Sequence, residues 1–259
     1  MVQRGCIVGE EEVPLGMESP AVRVGDTVRR PREPWTPSVH ALLRHLDKIG
    51  FDGAPRVLGI DERDREVLTY LPSEPTWPYT EKALVGMAHL LRRLHTSLDG
   101  FVAPADAVWA LPRGCGPGFR FGHNDVGPPN AVYADGVPYA FIDWEFAGPA
   151  PDLHDVICAA INVAPLRPDH FCRAVGFSEP PDRGARLRLF CDAYGLTDRS
   201  GLVDAVETYM RDDLVELVEL GGAGVRPFSR FLARGEDRHL RWDLDWVVAH
   251  RSELERALE

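Results

Sequence analysis

The apolar positions of this chain change their period near residue 72. Before it they come in short alternating runs. AVRV (21–24) and TVRR (27–30) flank Gly25-Asp26, a pair suited to a two-residue turn, and so predict a hairpin. Such a turn sets the register: Val24 faces Thr27, Val22 faces Arg29 and Arg23 faces Val28. Arg29 then shares a face with Val22 and Val24, while Arg30 points away, toward solvent. Thr36 as N-cap and Pro37 behind it open a run in which Val39, Leu42, Leu43, Leu46 and Ile49 recur at helical spacing until Gly50. RVLGI and REVLTYL, separated by the charged DERDR, predict two further strands.

PSEPTWPYT (72–80) carries three prolines, which donate no backbone hydrogen bond and interrupt helix and strand alike, so it marks a boundary. Beyond it the spacing is mostly helical. Leu84, Met87, Leu91 and Leu94 predict a helix ending near His95, and further helices are expected near 153–165, 183–195, 200–221 and 239–258. The expected layout is a small mixed lobe at 1–71, a linker at 72–80 and a larger helical lobe at 81–259.

FGHNDVGPPNAVYADGVPYAFIDWEF (121–146) interrupts the helical part. Two apolar runs flank Asp135-Gly136, again a two-residue turn signal. Counting back from it pairs Ala131 with Ala140 and sets Asn130 beside Phe141. Asn130 and Asp143 therefore leave the open end of one hairpin, where their oxygens can meet at one cation, and oxygen ligands of this kind suit Mg2+. His123 and Asp125 precede them on a loop that Gly127, Pro128 and Pro129 keep from becoming helix. Asp125 is a carboxylate placed to accept a proton from a hydroxyl nucleophile. The competing reading makes these Asx residues turn caps around a hairpin.

Charge narrows the class of partner. Lys plus Arg number 29 against 40 Asp plus Glu, a formal charge of -11. This disfavours a nucleic-acid partner, which needs basic surface, and is compatible with a cationic substrate. No apolar run reaches the length of a membrane span, and the acidic N-terminus lacks the pattern of a signal peptide. Five scattered cysteines show no metal-ligand spacing and are read as reduced thiols of a cytoplasmic protein, most of them filling the core. Asp212, Asp213, Glu216 and Glu219 lie on one face of a helix, to be read as a solvated face or as a site for an amine-rich substrate, with Asp212 and Glu216 the candidate contacts. Trp242 and Trp246, four residues apart, are expected to pack in the core.

His123-x-Asp125-x4-Asn130, then Asp143 in FIDWEFAGPAPDLHD, resembles the catalytic loop and metal-binding segment of the aminoglycoside phosphotransferase and choline kinase branch of the protein-kinase-like superfamily. Together with VRVGDTVRRP and WTPSVHALLRHL, the resemblance covers most of residues 15–160. It implies an α+β bilobal fold, with a small antiparallel-sheet lobe carrying one helix and a larger helical lobe. It implies a phosphotransferase that moves the γ-phosphate of ATP or GTP, with Mg2+, to a hydroxyl of a small molecule. An aminoglycoside-like compound or amino alcohol is the first expectation, with antibiotic resistance as the matching role. Asp125 would be the catalytic base, His123 a brace for its loop, and Asn130, Asp143 and Glu145 the metal ligands. Arg29, Ser19, Val22, Thr69 and Leu71 would meet the nucleotide, and Asp155 would hold the loop from below. A monomer or homodimer is expected.

The chain departs from that family's pattern in three places. GEEEVPLGMES has two glycines and no GxGxxG, the helix near 38–49 has no Glu to pair with Arg29, and Asp143-Trp144-Glu145 stands where protein kinases have DFG. Two alternatives stay open: a kinase of another alcohol, such as a choline-like compound, a sugar or a natural product, and a nucleotide-binding pseudoenzyme.

Overall fold

The computed structural model of the chain describes residues 11–15, 20–111 and 113–259. Ser19 and Cys6 lie outside the described residues. An antiparallel sheet comes first, in the order β1-β2-β3-β5-β4, built from β1 (Glu12–Pro14), β2 (Val22–Val24), β3 (Thr27–Pro31), β4 (Val57–Ile60) and β5 (Arg65–Thr69). Between β3 and β4 runs the helix α1 (Thr36–Lys48), which buries Val39, Leu42, Leu43 and Leu46. The β2–β3 hairpin turns at Gly25, with φ +57°, and pairs Val24 with Thr27, Val22 with Arg29 and Arg23 with Val28, as the turn chemistry predicts. Trp35, not Thr36, occupies the N-cap of α1; the Thr36 hydroxyl instead accepts a hydrogen bond from the Glu33 amide.

Residues 70–80 form neither helix nor strand. They lie along the second hairpin: the Tyr133 amide donates to Ser73 Oγ at 3.0 Å, the Glu74 amide to Tyr133 O at 2.9 Å, and Tyr139 Oη to Pro72 O at 2.6 Å. The helical part then follows with α2 (Glu81–Leu98), α3 (His154–Val163), α4 (Asp169–Ala174), α5 (Arg183–Tyr194), α6 (Leu202–Gly222), α7 (Phe228–Ala233) and α8 (Glu236–Leu258). Thr80 caps α2 by accepting the Ala83 amide at 3.0 Å. The short helices α4 and α7 lack enough turns to print a period on the sequence, and neither is foreseen by spacing.

The central core joins α1, α2, α3, α5 and α6 around Leu84, Leu91, Leu94, Ile157, Leu187 and Phe190. Cys158, Cys172 and Cys191 are buried thiols and Cys115 is exposed. Trp246 packs against this core, but Trp242 is 49% exposed and corrects the expectation of a buried pair. On a helix their four-residue spacing does not bury both, because α8 meets the core along a narrower stripe. Among the described residues, no helix is long and apolar enough to cross a membrane.

Two small ribbons carry the chemistry-bearing segment. β6 (Phe119–Gly122) pairs with β9 (Gly148–Pro151), and β7 (Ala131–Ala134) pairs with β8 (Val137–Phe141). Pro128–Asn130 forms a single 3-10 turn before β7, where irregular loop is expected. Near the β7–β8 turn the pairing is Ala134 with Val137 and Tyr133 with Pro138, but farther on Val132 faces Ala140 and Ala131 faces Phe141. A bulge at Tyr139 thus shifts the expected register by one residue. Pro138 has no amide to donate to the ladder, and the extra residue sends the Tyr139 hydroxyl to Pro72.

Candidate active site

The bulge brings Asn130 beside Ile142 instead of Phe141: the Ile142 amide donates to Asn130 O at 2.9 Å. Asp143, the next residue, turns left-handed with φ +59° and starts a 3-10 turn, Trp144–Phe146, so its side chain leaves the strand at the hairpin's open end. Asn130 Nδ2 donates to Asp125 O at 2.9 Å and to Asp125 Oδ2 at 2.6 Å. Asp125, Asn130 and Asp143 are thereby collected at one place by one hairpin and one loop.

The loop hangs from Asp155 at the start of α3. One oxygen, Oδ1, accepts the Asn124 amide at 2.6 Å, and Oδ2 accepts the His123 amide at 2.8 Å and lies 3.2 Å from His95 Nε2. His95 in turn meets the Tyr194 hydroxyl at 2.7 Å. Burial pushes the Asp155 carboxyl up, but these bonds and the neighbouring histidines outweigh it and bring it to about 2. Gly122 is required under it: a Cβ there would sit 2.3 Å from Asp155 Oδ2.

His123 is fully buried, its ring edge-on to Trp144 at 4.8 Å. Its Nε2 lies 2.8 Å from Ile142 O, and because a carbonyl only accepts, the shared hydrogen belongs to Nε2. His123 therefore ties the Asp125 loop to the strand that ends in Asp143. The Asp125 carboxyl is raised above its ordinary value by burial first, against His123 and the Asn130 hydrogen bond, with Asp143 and Asp155 adding to the rise. The Glu145 carboxyl is also raised, by burial and by the charge of Asp143.

Across from the hairpin, the sheet presents a different arginine from the expected one. Arg29 is 3.7 Å from Asp61, on the face it shares with Val22. Arg30 is in the cleft, its Nη1 2.8 Å from Asp143 Oδ1 and its Nε bonded to Glu66 Oε1. The β2–β3 register is the expected one, but the opposite face of β3 looks into the cleft. Val28 and Arg30 point to the cleft because their cross-strand partners Leu68 and Glu66 are the buried positions of β5. Val22 is correspondingly replaced by Val28 as a cleft residue. A cavity of about 300 Å³ is lined here by Leu15, Ala21, Val28, Arg30, Thr69, Leu71 and Asp143, among others.

A second cavity, about 390 Å³, opens on the far side of the loop. Asp125 lines it with Phe146, Tyr209, Asp213, Leu217 and Phe228. The acidic run of α6 is split by the helix: Asp212 and Glu219 are exposed, while Asp213 and Glu216 turn inward. Asp212 is therefore corrected to Asp213 as the acid that shares a cavity with Asp125. Glu216 is held by Arg113 at 2.6 Å. Asp213 has no hydrogen-bond or ion-pair partner among the described residues, and burial followed by the Glu216 charge raises its carboxyl to about 6. Acids at 212, 213, 216 and 219 interspersed with apolar residues do not reveal from sequence alone which carboxylate faces inward.

The donor set at the hairpin end fits a magnesium ion. Asn130 spends its amide nitrogen on Asp125, which leaves its carbonyl oxygen without a protein partner among the described residues, and Asp143 gives one oxygen to Arg30 and keeps the other. One amide oxygen and one half-exposed carboxylate are the kind of incomplete oxygen shell that Mg2+ shares with water and phosphate.

The architecture is the protein-kinase-like fold in the form taken by small-molecule phosphotransferases. An amicoumacin kinase solved with AMP-PNP and Ca2+ superposes with TM-score 0.59 at 11% identity, covering 90% of this chain and 88% of that one. A spectinomycin phosphotransferase solved with ADP and spectinomycin gives TM-score 0.59 at 10% identity, covering 93% and 92%. At such identities the likeness is one of fold. No family model matches the chain. Its sequence is 34% identical to the trifolitoxin immunity protein of Rhizobium leguminosarum bv. trifolii, over 98% of both chains. The chain belongs to the family of that immunity protein.

Proposed function

We propose that the protein is an ATP- or GTP-dependent, magnesium-requiring phosphotransferase that inactivates a toxin-like small molecule by phosphorylating one of its hydroxyls. One observation carries this reading. Asp143 lines the cavity under the sheet and Asp125 lines the cavity among the helices, so a metal-binding carboxylate and a base stand on the border between two chambers. Residues 1–71 form the nucleotide lobe, 72–80 the hinge and 81–259 the lobe that holds the acceptor. Thr69 and Leu71 meet the nucleotide base. Arg30 faces its phosphates; its charge is kept by Glu66 and Asp143 against the cost of burial.

Asn130 and Asp143 hold Mg2+, with Glu145 close behind in sequence. Bound there, the ion neutralises charge on the phosphate oxygens. Asn130 fixes one Asp125 oxygen and leaves the carboxylate to orient the acceptor hydroxyl. The hydroxyl proton passes to Asp125, the new O–P bond forms and the bond to the departing ADP oxygen breaks. Burial raises the basicity of Asp125, which is what a base needs to be matched to its task. The acceptor chamber combines Phe146 and Phe228 with Asp213, which suits an amphipathic molecule carrying a cation. The family relation supports the biological role, since the relative is named for immunity to a toxin.

The experiment is ADP release by the purified protein with MgATP or MgGTP against a panel of antibiotics, amino alcohols and sugars. Stimulated release that Asp125→Asn lowers at least about a hundredfold, with nucleotide affinity kept, supports the assignment. Unchanged turnover in Asp125→Asn would remove Asp125 as the base. Nucleotide binding without stimulated release would favour a pseudoenzyme.

A further inference from the structure

The helix α1 supplies no carboxylate to the cleft, yet the cleft cation is held from two sides. Arg30 and Glu66 are direct cross-strand partners on β3 and β5, and Glu66 Oε1 accepts from Arg30 Nε. The other oxygen, Oε2, is 2.8 Å from His40 Nε2 on α1. Both side chains are almost fully buried, at 5% exposure for His40 and 3% for Glu66. A carboxylate accepts only, so the hydrogen lies on His40 Nε2. Burial pushes the Glu66 carboxyl up, and the His40 hydrogen bond and the Arg30 charge bring it below its ordinary value.

We propose that His40 and Glu66 are a positioning pair for Arg30, through which α1 sets the phosphate-facing cation by way of a histidine. The inference rests on the phosphotransferase reading of the cleft. Removing His40 leaves Glu66 Oε2 buried without a donor, and the carboxylate then turns or takes up a proton. Either outcome releases the guanidinium toward Asp143 and withdraws it from the place where the phosphates sit. His40 acts only through Glu66, so the two substitutions must not add.

The test is titration of MgATP into the wild type, His40→Leu, His40→Gln, Glu66→Gln and the double variant His40→Leu/Glu66→Gln, with a melting curve for each. His40→Leu and Glu66→Gln are each expected to weaken MgATP about tenfold. His40→Gln, whose amide can donate to Glu66, stays within about threefold, and the double variant binds no worse than Glu66→Gln. Wild-type affinity in His40→Leu, or losses that multiply in the double variant, would overturn the proposal while leaving the nucleotide site standing. If His40→Leu does not fold, Glu66→Gln against His40→Gln decides, and equal wild-type affinity in both overturns it. A wild type that binds no nucleotide would sink the phosphotransferase reading itself, and this inference with it.

Discussion

Replacing Asp155 by Asn changes one oxygen to an amide nitrogen, and its cost can be worked from the bonds. In the native loop the two Asp155 oxygens accept the Asn124 amide at 2.6 Å and the His123 amide at 2.8 Å, with His95 Nε2 at 3.2 Å. An asparagine offers one acceptor face, so one backbone N–H meets an NH2 group instead of an oxygen. A buried donor left without a partner costs about 1–3 kcal/mol, and the surviving bonds lose the charge that made them strong, for about 3–5 kcal/mol in all. That is a large share of the roughly 5–15 kcal/mol that holds a domain folded. At about 2–4 °C per kcal/mol, the melting midpoint should fall by about 10 °C. The pH dependence gives a second handle. The folded Asp155 value of about 2 lies below the ordinary 3.8, so its stabilisation is fully present above about pH 4 and disappears as the pH falls toward 2. Urea unfolding of wild type and variant between pH 7 and 2.5, with hydrogen exchange at the amides of residues 123 and 124, measures both effects. A variant as stable as the wild type at pH 7, with equal protection of those amides, would refute the claim that Asp155 suspends the loop.

Gly122→Ala should be destabilised by about 1–3 kcal/mol and lose turnover, because its Cβ meets a carboxylate oxygen that is pinned and cannot give way; thermal melting checks the first and ADP release the second. Asp213→Asn should do the opposite to stability. The carboxyl is raised to about 6 in the fold, so its ionisation costs stability as the pH rises from about 4 to 6, and the amide should melt higher at pH 7 by about 1–2 kcal/mol after allowance for solvent screening. The KM for a cationic acceptor should rise in the same variant. Lower stability at pH 7, with the acceptor KM unchanged, would count against a carboxylate kept for the substrate.

Much of the site was legible because local rules act locally. Asp135-Gly136 closes a hairpin because apolar strand-forming runs flank it on both sides, and that closure places Asn130 and Asp143 at the hairpin's open end. The α1 periodicity and the β2–β3 register were fixed by turn and packing rules that span a few residues. The bulge at Tyr139 was not visible, because it depends on where Pro138 meets its partner strand and on a carbonyl 67 residues away that receives the Tyr139 hydroxyl.

The amino-acid sequence by itself determined the longer helices, the two hairpins and which chemical groups end up at the second hairpin's open end. The tertiary structure alone decided which face of each element looks into a cavity. A strand offers two faces and a helix a full circle, and only packing against other elements chooses among them. That choice put Arg30 in the cleft instead of Arg29, turned Asp213 inward instead of Asp212, and brought His40 of one helix to Glu66 of a distant strand.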